Sequence, residues 1–500
     1  MAKRKATAGK RAKPKPASKP AKPRHVVKMN RPTLSTMPNE ILSMIVKEAH
    51  DNGLRGRQSV RNLCLTSKRI YPVARRELYR RIVIVSGHQL ASLTRNLIEN
   101  PSAREFVRVV VIHFDSFRFS RYSPDAYLFR DWANTAMVES NLSQLDRQLL
   151  VLCRATCSDK AVDNIQCVLG LLMFLLDKTQ HLTLFADAYL GTMDRFLAAG
   201  LSLAASAHSN SLDYSALLPS LVSLDVCSKI WLQKSNQIVF NKAYHPFLAF
   251  TSSAHVREFH LIGTEGGLNN ILDQIGSKFK LPFTKVTLKA SDCTSSSLCV
   301  LLRHCPQLQY LEVETLGDGD YQGIGESINE VLPKYCPHLQ VLSIRFFGLK
   351  DKFLGPNTLD CLPKMTKLTE LRIEMESFIT HTRDLGELNL HEKLPEQLEK
   401  LFVDVSMLRV MSPTRISPRN PEVMEFVKSV KNIIQDLCQR RADHFPRLNT
   451  IVFGCKYSKP KQWSRVANNT LAGTGAKVRV CTGIDSKRMW GKSWKRMMNV

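Results

Sequence analysis

The chain holds 500 residues, 44% of them hydrophobic and 23% charged, with a formal net charge of +27. That length exceeds one compact core and predicts several domains or an elongated repeat array, and the apolar fraction is enough for a sizeable folded body. The longest apolar run, Cys167 to Leu176, is too short to cross a bilayer, and Lys3, Arg4 and Lys5 are not followed by the apolar stretch of a secretory signal. A membrane span and secretion are therefore not expected, and the location expected is nucleus, cytoplasm or both. Thirteen cysteines without a CxxC pair, the closest being Cys153 and Cys157, argue against structural zinc and for reduced, buried thiols.

The positive charge is unevenly placed. Residues 1–28 carry +11, residues 31–85 carry +7 and residues 455–500 carry +10, which together make +28, so residues 86–454 hold about −1 of the total +27. A neutral body of that size is a poor phosphate-binding surface, and any contact with nucleic acid is expected in the basic end segments, with steep salt dependence.

Residues 1–30 mix Lys, Arg, Ala and Pro and are too polar to bury a core, which predicts a disordered basic tail. Its clusters Lys3, Arg4, Lys5 and Lys10, Arg11 are candidate nuclear-import residues. From Leu34 the pattern changes. Ser35, Thr36 or Asn39 can cap a helix, Pro38 suits its first turn, and Ile41, Leu42, Ile45 and Val46 recur at helical spacing. The helix is predicted to run to about Ala49. After a polar break from Asp51 to Gln58, Val60, Leu63 and Leu65 predict a short second helix. Ile70 through Leu78, with Pro72 near its start, predicts a third, before a strand at Ile82-Val83-Ile84.

The residues Leu34, Met37-Pro38, Glu40-Ile41-Leu42 and Ile45, then Leu63, Leu65, Ser67-Lys68-Arg69 and Leu78-Tyr79-Arg80, make residues 31–84 resemble an F-box. The closing Leu-Tyr-Arg-Arg-Ile run is similar to that of many fungal F-box proteins. The resemblance implies a non-catalytic role: the F-box docks a Skp-type adaptor, which connects to a cullin-RING ubiquitin ligase, while the rest of the chain holds a protein substrate. Leu34, Pro38, Ile41, Leu42, Ile45, Leu63 and Leu65 are the candidate adaptor-binding residues, some of them also holding the three helices together.

Beyond Ile84 a motif Leu-x-x-Leu-x-Val/Ile recurs at Leu221-Leu224-Val226, Leu308-Leu311-Val313, Leu339-Leu342-Ile344, Leu368-Leu371-Ile373, Leu398-Leu401-Val403 and, modified, Leu448-Ile451-Phe453. The middle copies are spaced by 31, 29 and 30 residues. Weaker copies are Val107-Val110-Ile112, Leu182-Leu184, Val256-Phe259-Leu261 and Phe283-Val286-Leu288. Cys305-Pro306 and Cys336-Pro337 precede two clear copies, each after a helical segment, Leu298 to His304 and Ile328 to Tyr335. Each copy reads as a strand with its alternate apolar residues in a shared core, followed by a returning helix. The expected fold is therefore α/β: a small three-helix F-box, then an irregular leucine-rich-repeat-like solenoid over residues 85–455, then a basic tail over 456–500.

Two insertions interrupt the repeats. Residues 114–178 hold an aromatic, charged stretch from Phe117 to Trp132 and helices around Leu145 to Cys153 and Val162 to Leu176. Residues 404–447 hold a loop from Ser412 to Pro421 and an amphipathic helix beginning at Asn420-Pro421-Glu422 and aligning Val423, Phe426, Val427, Val430, Ile433, Ile434 and Leu437. Ser412-Pro413 and Ser417-Pro418 lie beside Arg415 and Arg419, where proline-directed phosphorylation would add negative charge. Near the end, Trp490 and Trp494 alternate with Lys487, Arg488, Lys492, Lys495 and Arg496. That alternation suits stacking on single-stranded nucleic acid and equally a frayed tail or a partner-binding peptide.

No phosphate-binding GxxxxGK[ST] or GxGxxG, HExxH or GxSxG occurs, so no catalytic residue, metal or cofactor is expected. Gly317-Asp318-Gly319 with Gly323 and Gly325 reads as a turn, and a solitary strand histidine such as His260 as a surface or capped core residue. The alternative to the receptor reading is a repeat scaffold that associates with chromatin or nucleic acid through its basic tails. Deleting residues 1–28 is expected to abolish nuclear accumulation of a fluorescent fusion; undiminished nuclear signal in the truncated chain would remove the import assignment.

Overall fold

The structure, a computed structural model, describes residues 34, 36–51, 53–113, 144–156, 161–185, 199, 218–227, 238–239, 255–262, 264–265, 280–291, 295–315, 328–345, 358–379, 386–404, 421–455 and 477–482. The import clusters at residues 3–5 and 10–11, the 117–132 stretch, the Ser-Pro loop, the glycine-dense turn and the Trp-Lys alternation lie outside these residues.

Three short helices come first: α1 (Asn39–Asp51), α2 (Gly53–Thr66) and α3 (Tyr71–Arg80). They share a small core of Leu42, Val46, Val60, Ile70 and Ala74, with Met37, Leu63 and Leu78 packed on it. Arg69 donates to the Met37 carbonyl at 2.7 Å and ties the entry of α1 to the start of α3. The exposed Thr66 hydroxyl donates back to the Leu63 carbonyl at 2.8 Å, closing the end of α2. The polar break expected from Asp51 to Gln58 is instead largely helical. At Gly56 an added Cβ would meet the carbonyl oxygen of Ala49 and lie 2.7 Å from that of His50. Only glycine lets α2 start so close against the end of α1, which is why polarity and a glycine there do not make a loop.

From Arg81 the chain alternates strand and crossover. The strands are β1 (Arg81–Ile84), β2 (Val109–His113), β3 (His181–Phe185), β4 (Ser223–Cys227), β5 (Ile238–Val239), β6 (Glu258–Ile262), β7 (Thr264–Glu265), β8 (Lys285–Ser291), β9 (Tyr310–Thr315), β10 (Val341–Arg345), β11 (Glu370–Glu374), β12 (Lys400–Asp404), β13 (Thr450–Cys455) and β14 (Lys477–Thr482). Among the described residues, twelve of them form one sheet in which each strand is added beside its predecessor, while β5 pairs with β7 alone. The neighbours are parallel throughout; β9 and β10, for example, align Leu311 with Leu342 and Val313 with Ile344. Parallel neighbours need a crossover between them. The described crossovers are α4 (Gly87–Glu99) with α5 (Pro101–Arg104), α6 (Gln144–Thr156) with α7 (Ala161–Leu175), α8 (Ser295–His304), α9 (Ile328–Tyr335) and α10 (Pro421–His444). Short 3-10 turns at Leu362–Lys364, Met375–Phe378 and Leu390–Lys393 serve β10 to β12.

All ten motif copies, clear and weak, lie on or lead directly into strands of this sheet. Because side chains alternate along a strand, Leu311 and Val313, Leu342 and Ile344, and Leu371 and Ile373 face one way, into a single core that runs from Ile82 to Phe453. The first leucine of the motif is the end of a turn. The Leu308 amide donates to the Cys305 carbonyl, Leu339 to Cys336, Leu368 to Met365, Leu398 to Pro395 and Leu448 to Phe445, all at 3.0–3.2 Å. The residue that opens each turn is buried, which accounts for cysteine, small and apolar, before the proline in two copies. In the copy before β4, Leu218 opens the turn with a φ of 49°. Leucine rarely adopts that left-handed conformation, and its full burial holds it there.

The strand expected at residues 82–84 is present as β1, the first strand of the sheet, paired with β2. Another strand differs from expectation. Residues 477–482, read as part of a basic tail, pair with β13, with Val478 and Val480 beside Ile451 and Phe453. Their alternation Lys-Val-Arg-Val was legible, but surrounding charge outweighed it. The helices expected near Leu145 to Cys153 and Val162 to Leu176 are present as α6 and α7, and the Arg104 guanidinium grips Asp146 with bonds of 3.2 and 3.0 Å, joining α5 to α6. The amphipathic helix from Pro421 is α10, with Val430, Ile433 and Leu437 buried against the common core.

Gly56→Ala is expected to lower the stability of the three-helix module by roughly 1–3 kcal/mol, because backbone must move to admit the methyl group. Hydrogen exchange should then speed up across residues 39–80 while the sheet core remains protected; unchanged exchange in α1 and α2 would refute the close approach.

Candidate functional site

Two surfaces stand out. The first is the outside of the helical module. Among the described residues, eight large apolar side chains are exposed, and five of them, Leu34, Ile41, Met44, Leu65 and Tyr71, fall within residues 34–71. Ile41 and Met44 are 42% and 66% exposed and share a face of α1 by their three-residue spacing, with half-buried Ile45 beside them. Leu65 is 82% exposed at the end of α2. Of the seven candidate residues, Leu34, Pro38, Ile41 and Leu65 are thus exposed and Ile45 partly so. Leu42 is buried and Leu63 packs on the module core, so these two hold the helices together instead of presenting to a partner. Helical periodicity marked all of them as apolar without saying which side a third helix would cover. Met44 and Tyr71 were not among the candidates; spacing from Ile41 was the available signal for Met44.

The second surface is the sheet face opposite the core. It is built from the x positions of the motif, which register aligns into rows. One row runs Val111, Thr183, Asp225, His260, Thr287, Glu312, Ser343, Arg372, Phe402 and Val452. At the β2 to β6 end, Val111, Phe185, Cys227 and Ile262 form a small apolar cluster, with His113 stacked on Phe185 at 4.4 Å. From β4 onward charged side chains join this face.

These charges are mostly paired across strands. Lys285 reaches Glu258 at 3.1 Å and Lys289 reaches Glu312 at 2.7 Å. Arg345 lies 3.7 Å from both Glu374 and Asp404, and Arg372 binds Glu370 while its guanidinium sits 4.9 Å over the Phe402 ring. Lys289, Glu312, Glu374 and Asp404 are buried, so these pairs satisfy charges that could not otherwise leave water. His260 joins the same face: its Nε2 is 3.4 Å from Glu258 and 3.9 Å from Asp225. A bond from His260, reinforced by Lys285, holds the Glu258 carboxyl down at about 2 despite partial burial. Burial raises the carboxyl of Glu314 and, together with the neighbouring Glu312, the phenol of Tyr310. Burial likewise pushes the thiols of Cys336 and Cys361 up to about 12, leaving them poor nucleophiles, and both are free of disulfides.

A hollow of about 270 Å³ opens on this face between β4 and β9, bordered by Asp225, Glu258, His260, Lys285, Thr287 and Glu312. No group of three or more His, Cys, Asp or Glu side chains able to hold a metal ion occurs among the described residues, and no described helix is long and apolar enough to cross a membrane. Neither known family models nor curated proteins give a match to this chain.

The Glu258 carboxyl sits lower in the folded chain than the ordinary value of 4.5. Its contribution to stability is therefore present above pH 4.5 and lost as pH falls toward 2. Glu258→Gln is expected to reduce the acid-induced loss of stability in that window, measured by circular dichroism melts; identical acid sensitivity of variant and parent would contradict the bond from His260.

Proposed function

We propose that this chain is a substrate-recognition subunit of a Skp-cullin-F-box type ubiquitin ligase, with residues 34–82 as the F-box and the sheet and its crossovers as a leucine-rich-repeat-like solenoid. What carries the reading is the conjunction of a small helical module, which has its own core yet leaves Leu34, Ile41, Met44 and Leu65 exposed, with a parallel sheet whose strands follow chain order. Apolar side chains concentrated on the outside of a module that does not need them for its core favour a protein partner. The receptor supplies no covalent chemistry. It holds a target near a charged ubiquitin carrier and so raises the effective concentration of the target's lysines. The open sheet face offers the target-binding surface, and residues 1–28 the route to the nucleus.

The charge distribution favours a second reading, a repeat scaffold that associates with chromatin or nucleic acid through the basic segments at 1–28 and 455–500. Capture of a Skp-type adaptor separates the two. Wild-type chain is expected to co-purify with the adaptor, and Ile41→Glu, which changes an exposed residue and spares the module core, to reduce capture at least about tenfold. A chain that captures no adaptor, or an Ile41→Glu variant that captures it equally well, would overturn the receptor reading.

A further inference from the structure

The hollow on the open face has a chemistry that the division of labour above does not assign. At about 270 Å³ it lies just under the roughly 300–1,000 Å³ of small-molecule pockets and has room for one inserted side chain. Both lysines on it are engaged, Lys285 with Glu258 at 3.1 Å and Lys289 with Glu312 at 2.7 Å. Asp225 accepts hydrogen bonds from two hydroxyls, Thr183 at 2.9 Å and Ser223 at 3.4 Å, and among the described residues the one basic side chain within 4.0 Å of it is the His260 ring at 3.9 Å. With Glu258 held ionised, three carboxylates face two lysines, and the negative charge left over sits at Asp225.

Two buried atoms of residues bordering this hollow lack partners. His260 and Thr287 are 4% and 3% exposed, and His260 Nδ1 and Thr287 Oγ1 make no hydrogen bond. The other imidazole nitrogen, Nε2, faces only Glu258 and Asp225, which as carboxylates accept and do not donate. In the tautomer that donates from Nε2 to these carboxylates, Nδ1 is an acceptor. Buried polar atoms are rarely left unpaired, and a group bringing donors would satisfy both. The ligand that complements this site is positively charged, rich in donors, free of acceptors and no wider than one side chain. A guanidinium fits best, because its planar fork of five N–H groups binds a carboxylate bidentately and still has donors to spare, whereas an ammonium has three on a point charge. An anion such as a phosphate would meet three carboxylates and two lysines already engaged.

We propose that this hollow is an anchor site for an arginine side chain of a protein target, with Asp225 taking the guanidinium and His260 and Thr287 accepting its remaining hydrogen bonds. The proposal rests on the reading of the open face as a target-binding surface. Its test uses the full chain and three probes, the N-acetyl amides of arginine, citrulline and phosphoserine, titrated by saturation-transfer NMR. Arginine is expected to bind at least about tenfold more tightly than its neutral isostere citrulline, and Asp225→Asn to weaken arginine about tenfold. Thr287→Val, which removes an unpartnered hydroxyl and leaves the size of the side chain nearly unchanged, should weaken arginine severalfold in a chain that melts like the parent. Equal binding of arginine and citrulline, tighter binding of phosphoserine, or arginine affinity untouched by both variants would overturn the proposal. Adaptor capture by the same preparations keeps the two ideas apart. A chain that captures adaptor but binds no arginine refutes the anchor site alone, and one that binds arginine without capturing adaptor refutes the receptor reading alone.

Discussion

The whole sheet depends on lateral register. Leu311 beside Leu342 beside Leu371 beside Leu401, and Val313 beside Ile344 beside Ile373 beside Val403, put every apolar pair on the same side. A slip of one residue in any strand would turn its leucine and valine out and its charged neighbours in. What pins the register before β4 and β9 to β13 is a turn in which the leading leucine's amide closes on the carbonyl of a buried residue three positions earlier, together with a bond from the next amide to the preceding unit. The Gln340 amide, for instance, donates to the Gln309 carbonyl at 2.8 Å, and the Thr369 amide to that of Gln340 at 2.8 Å.

Register also creates the opposite face. Once core positions are set, the residues between them are stacked in rows with inter-strand spacing of about 4.8 Å, close enough for each charge to be neutralised by its neighbour. Lys289 with Glu312, and Arg345 between Glu374 and Asp404, are the outcome. Charges this buried require partners, so the pairs over β8 to β12 leave little unsatisfied. Asp225, His260 and Thr287 are where the pairing is incomplete, and that incompleteness gives the hollow its character. The helical module stands apart from this logic, with a separate core and apolar side chains outside it.

Much of this was legible in the residues. Each Leu-x-x-Leu-x-Val/Ile copy lies on or leads into a strand, and the helices at 144–156, 161–175, 328–335 and 421–444 follow from apolar spacing. Misreadings arose where local composition and tertiary context disagree. Gly56 sits in a polar stretch that reads as a break, yet it is the residue that admits α2 against α1. Val478 and Val480 lie among basic residues, yet they continue the row of Ile451 and Phe453. His260, read as a surface or capped core residue, is buried with its Nε2 against Glu258, while its second carboxylate neighbour, Asp225, comes from an adjacent strand that its own segment does not reveal.

By itself, the sequence determined which residues alternate as strands, where apolar helices lie between them, and that the net charge is carried by the ends and the first helical segment. These are local properties, set by a period of two or 3.6 residues and by composition. The tertiary structure alone decided which apolar residues of the helical module are core, as Leu42 is, and which are left outside, as Ile41 and Met44 are. It alone brought Asp225, His260 and Thr287 from three strands to one hollow. The reason is that exposure and charge pairing depend on neighbours contributed by other strands and helices, and a single strand or helix carries no record of which residues will lie beside it.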